Sequence, residues 1–121
     1  MAMPPEISSL LKKIIEFRDA RDWEKFHTLK NLSSALAVEA AELMEITQWK
    51  SDKEIELDLA KQGFRSKISD EIADVFIYLL LICDKAGVDP IVAAHRKILR
   101  NEERYPAEKV RGSAVKYSDL R

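Results

Sequence analysis

The sequence predicts an all-α fold: a four-helix-bundle-like arrangement in one domain over residues 1–121. Three observations lead there. Only three glycines and four prolines punctuate 121 residues, which favours long helices over many short strands. Apolar residues recur at helical spacing, as in Ile7, Leu10, Leu11, Ile14 and Ile15. No alternating β-rich stretch, internal repeat or low-complexity segment breaks the pattern.

Pro4 and Pro5 suit the first turn of a helix expected over about 5–20. The stretch RDWEKFHTLK, 21–30, is less periodic and reads as a connection containing a helical turn. A second helix is expected over about 29–49, with apolar faces from Leu32, Ala35, Leu36, Leu43 and Ile46. Ala37, Ala40 and Ala41 keep it narrow, so a neighbouring helix or a ligand can come close. Ser51 followed by Glu54 matches a capping box and predicts a short exposed helix over about 52–62, interrupted by Gly63. The most apolar helix follows over about 65–85, carrying Ile68, Ile72, Val75, Phe76, Leu79 and Leu80, and Gly87 stops it. Asp89-Pro90 is a cap followed by proline at the first helical position. The last main helix runs over about 90–104 and ends before Pro106. The tail, about 106–121, has no clear period and is expected to be loop-like, docked on the body or on another subunit.

Composition narrows the function. Twenty basic residues against 21 acidic ones give a formal net charge of -1. No global basic field exists to hold nucleic acid by phosphate neutralisation, so an anionic small molecule would need local basic groups. The single cysteine, Cys83, cannot form an internal disulfide and fits a reducing cytoplasm. The apolar run 75–83 is half the length a membrane helix needs. The opening MAMPPE lacks the regions of a secretory signal. The expectation is a cytoplasmic protein with no nucleic-acid or membrane partner.

Two acidic pairs then stand out. Glu39 and Glu42 sit in SALAVEAAELMEITQW, and Glu71 and Asp74 sit in ISDEIADVFIYLLLIC. Each pair has i, i+3 spacing, which puts both carboxylates on one helix face. The wet edge of an amphipathic helix would explain one such pair. The second pair lies where apolar residues occupy several directions round the helix, and a charge buried without a partner is costly. Four acids on core-like faces need a common cation, and with Glu45 one turn further on, five carboxylates can approach one point. Carboxylate and water ligands suit Mg²⁺ or Mn²⁺. A di-iron site would want Glu-x-x-His on each of two paired helices; His27 follows Glu24 at that spacing but His95 follows no glutamate, so the second half of such a site is missing.

Lys97, Arg100 and Arg104 recur near Asn101 on the last helix, and Lys116 and Tyr117 lie in the tail. Such residues usually form a solvated face. A sharper reading is a phosphate clamp, since Mg²⁺ sites commonly share their ion with substrate phosphates. Trp23 and Trp49 fall at helix ends, where they can anchor a core, make oligomer contacts or stack a nucleobase. A lone histidine such as His27 is more often structural than catalytic. No nucleophile elbow, glycine-rich phosphate loop or cysteine with an obvious base appears, so metal-assisted hydrolysis is the chemistry these residues best support.

EAAE at 39–42 followed by EIAD at 71–74 resembles the Glu-x-x-Glu … Glu-x-x-Asp signature of the MazG-like, all-α nucleotide pyrophosphohydrolases. FRDARDWEKFHTLKNL, ELMEITQWK, DEIADVFIYLLL, KILRNEERYP and GSAVKYSDL resemble the dCTP pyrophosphatase branch of that family in order and spacing, over nearly the whole chain. The resemblance implies hydrolysis of a deoxycytidine triphosphate to the monophosphate and pyrophosphate. It implies Mg²⁺ held by Glu39, Glu42, Glu71 and Asp74. It implies that Trp23 and Trp49 flank the base, that Tyr78 and Asn101 contact the nucleotide, and that Lys97 reaches phosphate. It further implies a homotetramer built as a dimer of dimers, with sites completed across subunits. Two departures fall where the base should sit. Ile14 stands where relatives can carry a histidine, and Thr28-Leu29-Lys30 stands where relatives often have a Pro-Arg pair.

On this reading Glu42 or Glu45 orients or deprotonates the attacking water, and Lys97, Arg104 and Lys116 stabilise the departing pyrophosphate. His27, Lys30 and Tyr117 complete the candidate substrate-binding set. Two alternatives stay open: a pyrophosphohydrolase of another base preference, and a non-enzymatic helical oligomerisation module whose acids pair with basic residues across an interface.

Overall fold

The longest helix carries half of the buried residues among those described, Leu80, Leu81 and Cys83. A computed structural model of the chain describes residues 3–114 and 116–119, apart from the side chain of Tyr117. Its elements are α1 (Pro5–Asp19), a 3₁₀ turn (Glu24–Phe26), α2 (Leu29–Glu45), α3 (Asp52–Asp58), α4 (Gln62–Ala86), α5 (Pro90–Arg104), α6 (Ala107–Val110) and a second 3₁₀ turn (Tyr117–Asp119). No strand occurs among the described residues, so the fold is all-α as predicted. No described helix is long and apolar enough to cross a membrane. The chain forms two compact units, Met1–Val88 and Asp89–Arg121.

In the first unit α4 packs against α2 and α1. The core is Leu11 and Ile14 from α1, Leu32 from α2, and Leu80 and Leu81 from α4. Ile7, Ile15, Ile77 and Tyr78 pack round it, half-buried. Leu11 and Ile14 are i, i+3 neighbours, so α1 presents one narrow stripe. This core is small. Along α4 the i, i+4, i+7 stripe Ile72, Phe76 and Leu79 stays 52%, 38% and 38% exposed.

The helix ends show local chemistry at work, and they correct three expected boundaries. Thr28 caps α2, its hydroxyl accepting from the Asn31 N–H at 3.1 Å. α2 ends at Glu45 rather than near Trp49. The Thr47 hydroxyl donates to the Met44 carbonyl at 3.1 Å, and Ser51 needs an extended backbone to cap the next helix. The capping box is present: Glu54 N–H donates to Ser51 Oγ and Ser51 N–H donates to Glu54 Oε2, both at 3.2 Å. α3 stops at Asp58, and α4 starts at Gln62, so Gly63 lies inside a first turn and does not interrupt a helix. The N–H groups of a first turn are unpaired in any helix, and glycine is tolerated there. Gly87, left-handed with φ 67°, ends α4 as expected.

The second unit holds α5, α6 and the second 3₁₀ turn. Asp89 caps α5, accepting from the Ile91 and Val92 N–H groups at 2.9 and 3.3 Å, with Pro90 at the first helical position. The tail read as loop-like carries the four-residue α6 and the 3₁₀ turn.

Leu80 is fully buried (0% exposed) at the centre of this small core. Leu80→Ala should therefore cost about 2–5 kcal/mol in urea unfolding. A loss under about 1 kcal/mol would show that the core lies elsewhere.

Candidate functional site

The site grows from the seam between α2 and α4. Glu39 and Glu42 lie one turn apart on α2, and Glu71 lies on α4 opposite them. One oxygen of each carboxylate lies within 4.8 Å of the other two. Oε2 of Glu39 and Oε2 of Glu71 are buried and accept no hydrogen bond. Ionised carboxylates are acceptors only, so none of the three can satisfy another unless one carries a proton. Burial, reinforced by Glu42, Asp74 and Glu71, pushes the Glu39 carboxyl up to about 7. Burial, then Glu42, Asp74 and Asp70, pushes Glu71 up as well. Asp74 adds its charge to both groups but stands outside the close set of three. Orphaned buried oxygens beside raised carboxyls fit a hard divalent cation, which prefers an all-oxygen donor set.

Next to the acids lies a cavity of about 410 Å³. Ile14, Phe17 and Arg18 of α1, Trp23 and His27 of the connection, and Asp74, Ile77, Tyr78 and Leu81 of α4 line it, with Lys13 at its edge. The connection folds back on α1 to build one wall. Asp22 takes a left-handed φ of 53°, and Trp23 N–H donates to the Arg18 carbonyl at 3.1 Å. The Trp23 ring then meets Phe17 edge-on at 5.8 Å, and the Arg21 guanidinium covers the Phe17 ring at 3.6 Å. Asn31 Nδ2 donates to the Phe26 carbonyl at 2.9 Å, tying the connection to α2. His27 Nδ1 is buried and has no hydrogen-bond partner. Burial and the Arg18 charge hold His27 below the usual histidine range, so its ring is neutral at pH 7. Burial, with Glu39 and Asp74 nearby, pushes the Tyr78 hydroxyl up and keeps it a donor.

The candidates named from sequence thus divide. Glu39, Glu42 and Glu71 converge, and Trp23, His27, Asp74 and Tyr78 line the cavity. Trp49 does not line it; the residue is 88% exposed in the turn after α2. Lys30 is exposed in the first turn of α2, and Glu45 lies on α2 one turn beyond Glu42. Lys97, Asn101 and Arg104 share one face of α5 in the second unit, and Lys116 precedes its 3₁₀ turn. The Tyr117 side chain lies outside the described residues. Sequence reasoning missed Phe17, Arg18, Ile77 and Leu81 as cavity walls. Their signal was spacing: Ile14, Phe17 and Arg18 share a face of α1, as Asp74, Ile77, Tyr78 and Leu81 share one of α4.

Paired helices that converge carboxylates beside an aromatic cavity define a class of acid-centred, all-α proteins. Within that class this chain belongs to the MazG-like family, whose model matches residues 35–120. It is 40% identical over 116 residues to dCTP pyrophosphatase 1 of Rattus norvegicus, covering 96% of this chain and 68% of the relative. It is 38% identical over 120 residues to dCTP pyrophosphatase 1 of Homo sapiens, covering 96% and 68%. A crystal structure of a pyrophosphatase from Archaeoglobus fulgidus superposes with a TM-score of 0.79 at 43% identity, covering 88% of this chain and 97% of that one.

The raised carboxyl sets a pH dependence. The folded pKa of Glu39, about 7, stands above the ordinary glutamate value of 4.5. Between those values the folded chain binds more protons than the unfolded one, so this group's contribution to stability falls as pH rises through the window. Measured against Glu39→Gln by scanning calorimetry, which cancels the opposing pull of the lowered His27, the metal-free wild type should lose melting temperature between about pH 5 and about pH 8. Mg²⁺ should raise melting strongly at the higher pH and little at the lower. A wild-type melting temperature that climbs relative to Glu39→Gln over this range, with equal Mg²⁺ shifts at both ends, would contradict the cluster as a cation site.

Proposed function

We propose that this chain is a Mg²⁺-dependent nucleoside triphosphate pyrophosphohydrolase that converts dCTP and water to dCMP and pyrophosphate. The observation that carries the reading is the carboxylate trio of α2 and α4 set directly beside an apolar, aromatic cavity. The likeness to dCTP pyrophosphatase 1 over 96% of the chain supports the substrate. Glu39, Glu42 and Glu71, with Asp74, would hold Mg²⁺, and Mn²⁺ could substitute in the same oxygen set. When bound, the cation offsets phosphate charge and makes the α-phosphorus more electrophilic.

The chain's own residues then have distinct tasks. Trp23 offers a ring face to the base, braced by Phe17 and Arg21. His27, Arg18 and Tyr78 are polar residues of the cavity wall that can contact the nucleotide. Glu42 takes the proton of the attacking water, with Glu45 one turn behind it on α2. A bond forms between the water oxygen and the α-phosphorus, and the α–β bridging oxygen leaves with pyrophosphate. Lys97, Arg104 and Lys116 meet the phosphates, Asn101 contacts the nucleotide, and Trp49, Lys30 and Tyr117 belong to the substrate-binding set completed in the assembly.

The chain works as a homo-oligomer, a tetramer arranged as a dimer of dimers, in the cytoplasm. The exposed α4 stripe Ile72, Phe76 and Leu79, with Val38 and Met44 exposed on α2, supports an interface. A nucleotide-pool role follows from the reaction.

Incubation with dCTP and Mg²⁺ should yield dCMP and pyrophosphate in equal amounts, and Glu71→Gln should lower turnover on the order of 100-fold or more. Stepwise release of orthophosphate, or full turnover in Glu71→Gln, would overturn the reading. A panel including dUTP and 5-substituted dCTP, ranked by kcat/KM, sets the base preference that Ile14 leaves open.

A further inference from the structure

A second large cavity lies further along the α2–α4 seam, beyond the carboxylates. Its volume is about 560 Å³. Glu45 and Ile46 line it one turn after Glu42, and Lys67 lines it one turn before Glu71. The first cavity meets α4 at Asp74 and Tyr78. Lys67, Glu71, Asp74 and Tyr78 have i, i+4, i+7, i+11 spacing and form one stripe on α4. The acids therefore stand between the two cavities. From Lys67 to Tyr78 the helix rises about 16 Å, which matches the reach of an extended nucleoside triphosphate.

The far cavity is lined by lysines. Asp58, only 13% exposed in its side chain, bridges Lys50 at 2.6 Å and Lys61 at 2.8 Å. Both ammonium groups hold its carboxyl below the usual range. Each ammonium has three donors and gives one to Asp58, so two remain on each for a ligand. The Lys50 ammonium also sits 5.6 Å from the Phe64 ring centroid, on the cavity wall. Lys67 makes no ion pair among the described residues. Three lysines against Asp58 and Glu45 leave the lining with a net positive charge of one. A row of surface lysines usually reads as a solvated face. This row instead ends a stripe that starts at an aromatic cavity and passes through three converging carboxylates.

We propose that the cavity at Lys50, Lys61 and Lys67 is a pyrophosphate subsite, holding the β- and γ-phosphates and then the leaving group. The inference rests on the pyrophosphohydrolase reading and adds a subsite within the first unit to the α5 cations. In the reaction the α–β bridging oxygen keeps the electron pair of the broken bond, so negative charge grows on the far side of the α-phosphorus from the base. Ammonium groups there stabilise that charge, and Asp58 positions two of them.

The test is calorimetric binding of pyrophosphate in the presence of Mg²⁺, with dCMP as the ligand that lacks a β-phosphate. Lys67→Met should weaken pyrophosphate binding about tenfold or more, as expected for a lost charge-assisted contact. Lys61→Met should weaken it in the same direction, and Lys67→Arg should recover part of the loss. Binding of dCMP should stay unchanged in all three. Lys53→Met, on exposed α3 and outside the cavity lining, controls for the loss of one positive charge. Equal pyrophosphate affinity in wild type, Lys67→Met and Lys61→Met, or a loss no larger than that of Lys53→Met, would overturn the subsite. Failure of the parent reading is separate, because it shows as wild-type protein that does not turn over dCTP.

Discussion

Three carboxylates from two helices meet where they repel each other and lose water. That repulsion organises the first unit. Glu39 and Glu71 each leave a buried oxygen without a donor, and their carboxyls are pushed up in response. Left alone, such a cluster would push α2 away from α4 or take up protons. A divalent cation resolves both problems at once, because it supplies the missing positive partner to all three. The α2–α4 seam is thus a packed contact and a convergence of three carboxylates in the same place. α4 and α2 still share a core through Leu32, Leu80 and Leu81, further along the two helices from the acids.

Much of this was legible in the sequence. The i, i+3 acid pairs, the Ser51 and Glu54 capping box, the Gly87 stop and the Asp89-Pro90 start are local signals, and local signals survive folding. Two kinds of feature were not legible. Helix ends governed by competition, such as Thr47 bonding back to Met44, depend on geometry that periodicity does not carry. Groups joined through space escape as well. Asp58 reads as one more acid on a polar helix, yet it joins Lys50, eight residues before it, to Lys61. The spacing of Phe17 and Arg18 shows the face they share with Ile14, but that this face is a cavity wall depends on the fold-back at Asp22.

The family resemblance and the residue chemistry reach the same seam by separate routes. The resemblance marks Glu39, Glu42, Glu71 and Asp74 by pattern. The structure brings Glu39, Glu42 and Glu71 together by burial and distance and leaves Asp74 one step out, on the cavity wall. This ordering has a physical sense. Asp74 belongs to the turn of α4 that lines the aromatic cavity, so it lies between the carboxylate trio and that cavity. The same stripe continues past Glu71 to Lys67, and the molecule thereby offers apolar, acidic and basic surfaces in sequence along one helix.

The central claim is that mutual repulsion at Glu39, Glu42 and Glu71 is relieved by a bound cation. The most direct test replaces all three by glutamine, which keeps the shape, removes the charge and adds amide donors. At about pH 8 without metal, the triple variant should melt above the wild type, because the repulsion among three converging charges, with two of their oxygens buried, is gone. Addition of Mg²⁺ should raise melting of the wild type and leave the variant unmoved. A variant that melts lower than the wild type and still responds to Mg²⁺ would contradict the account.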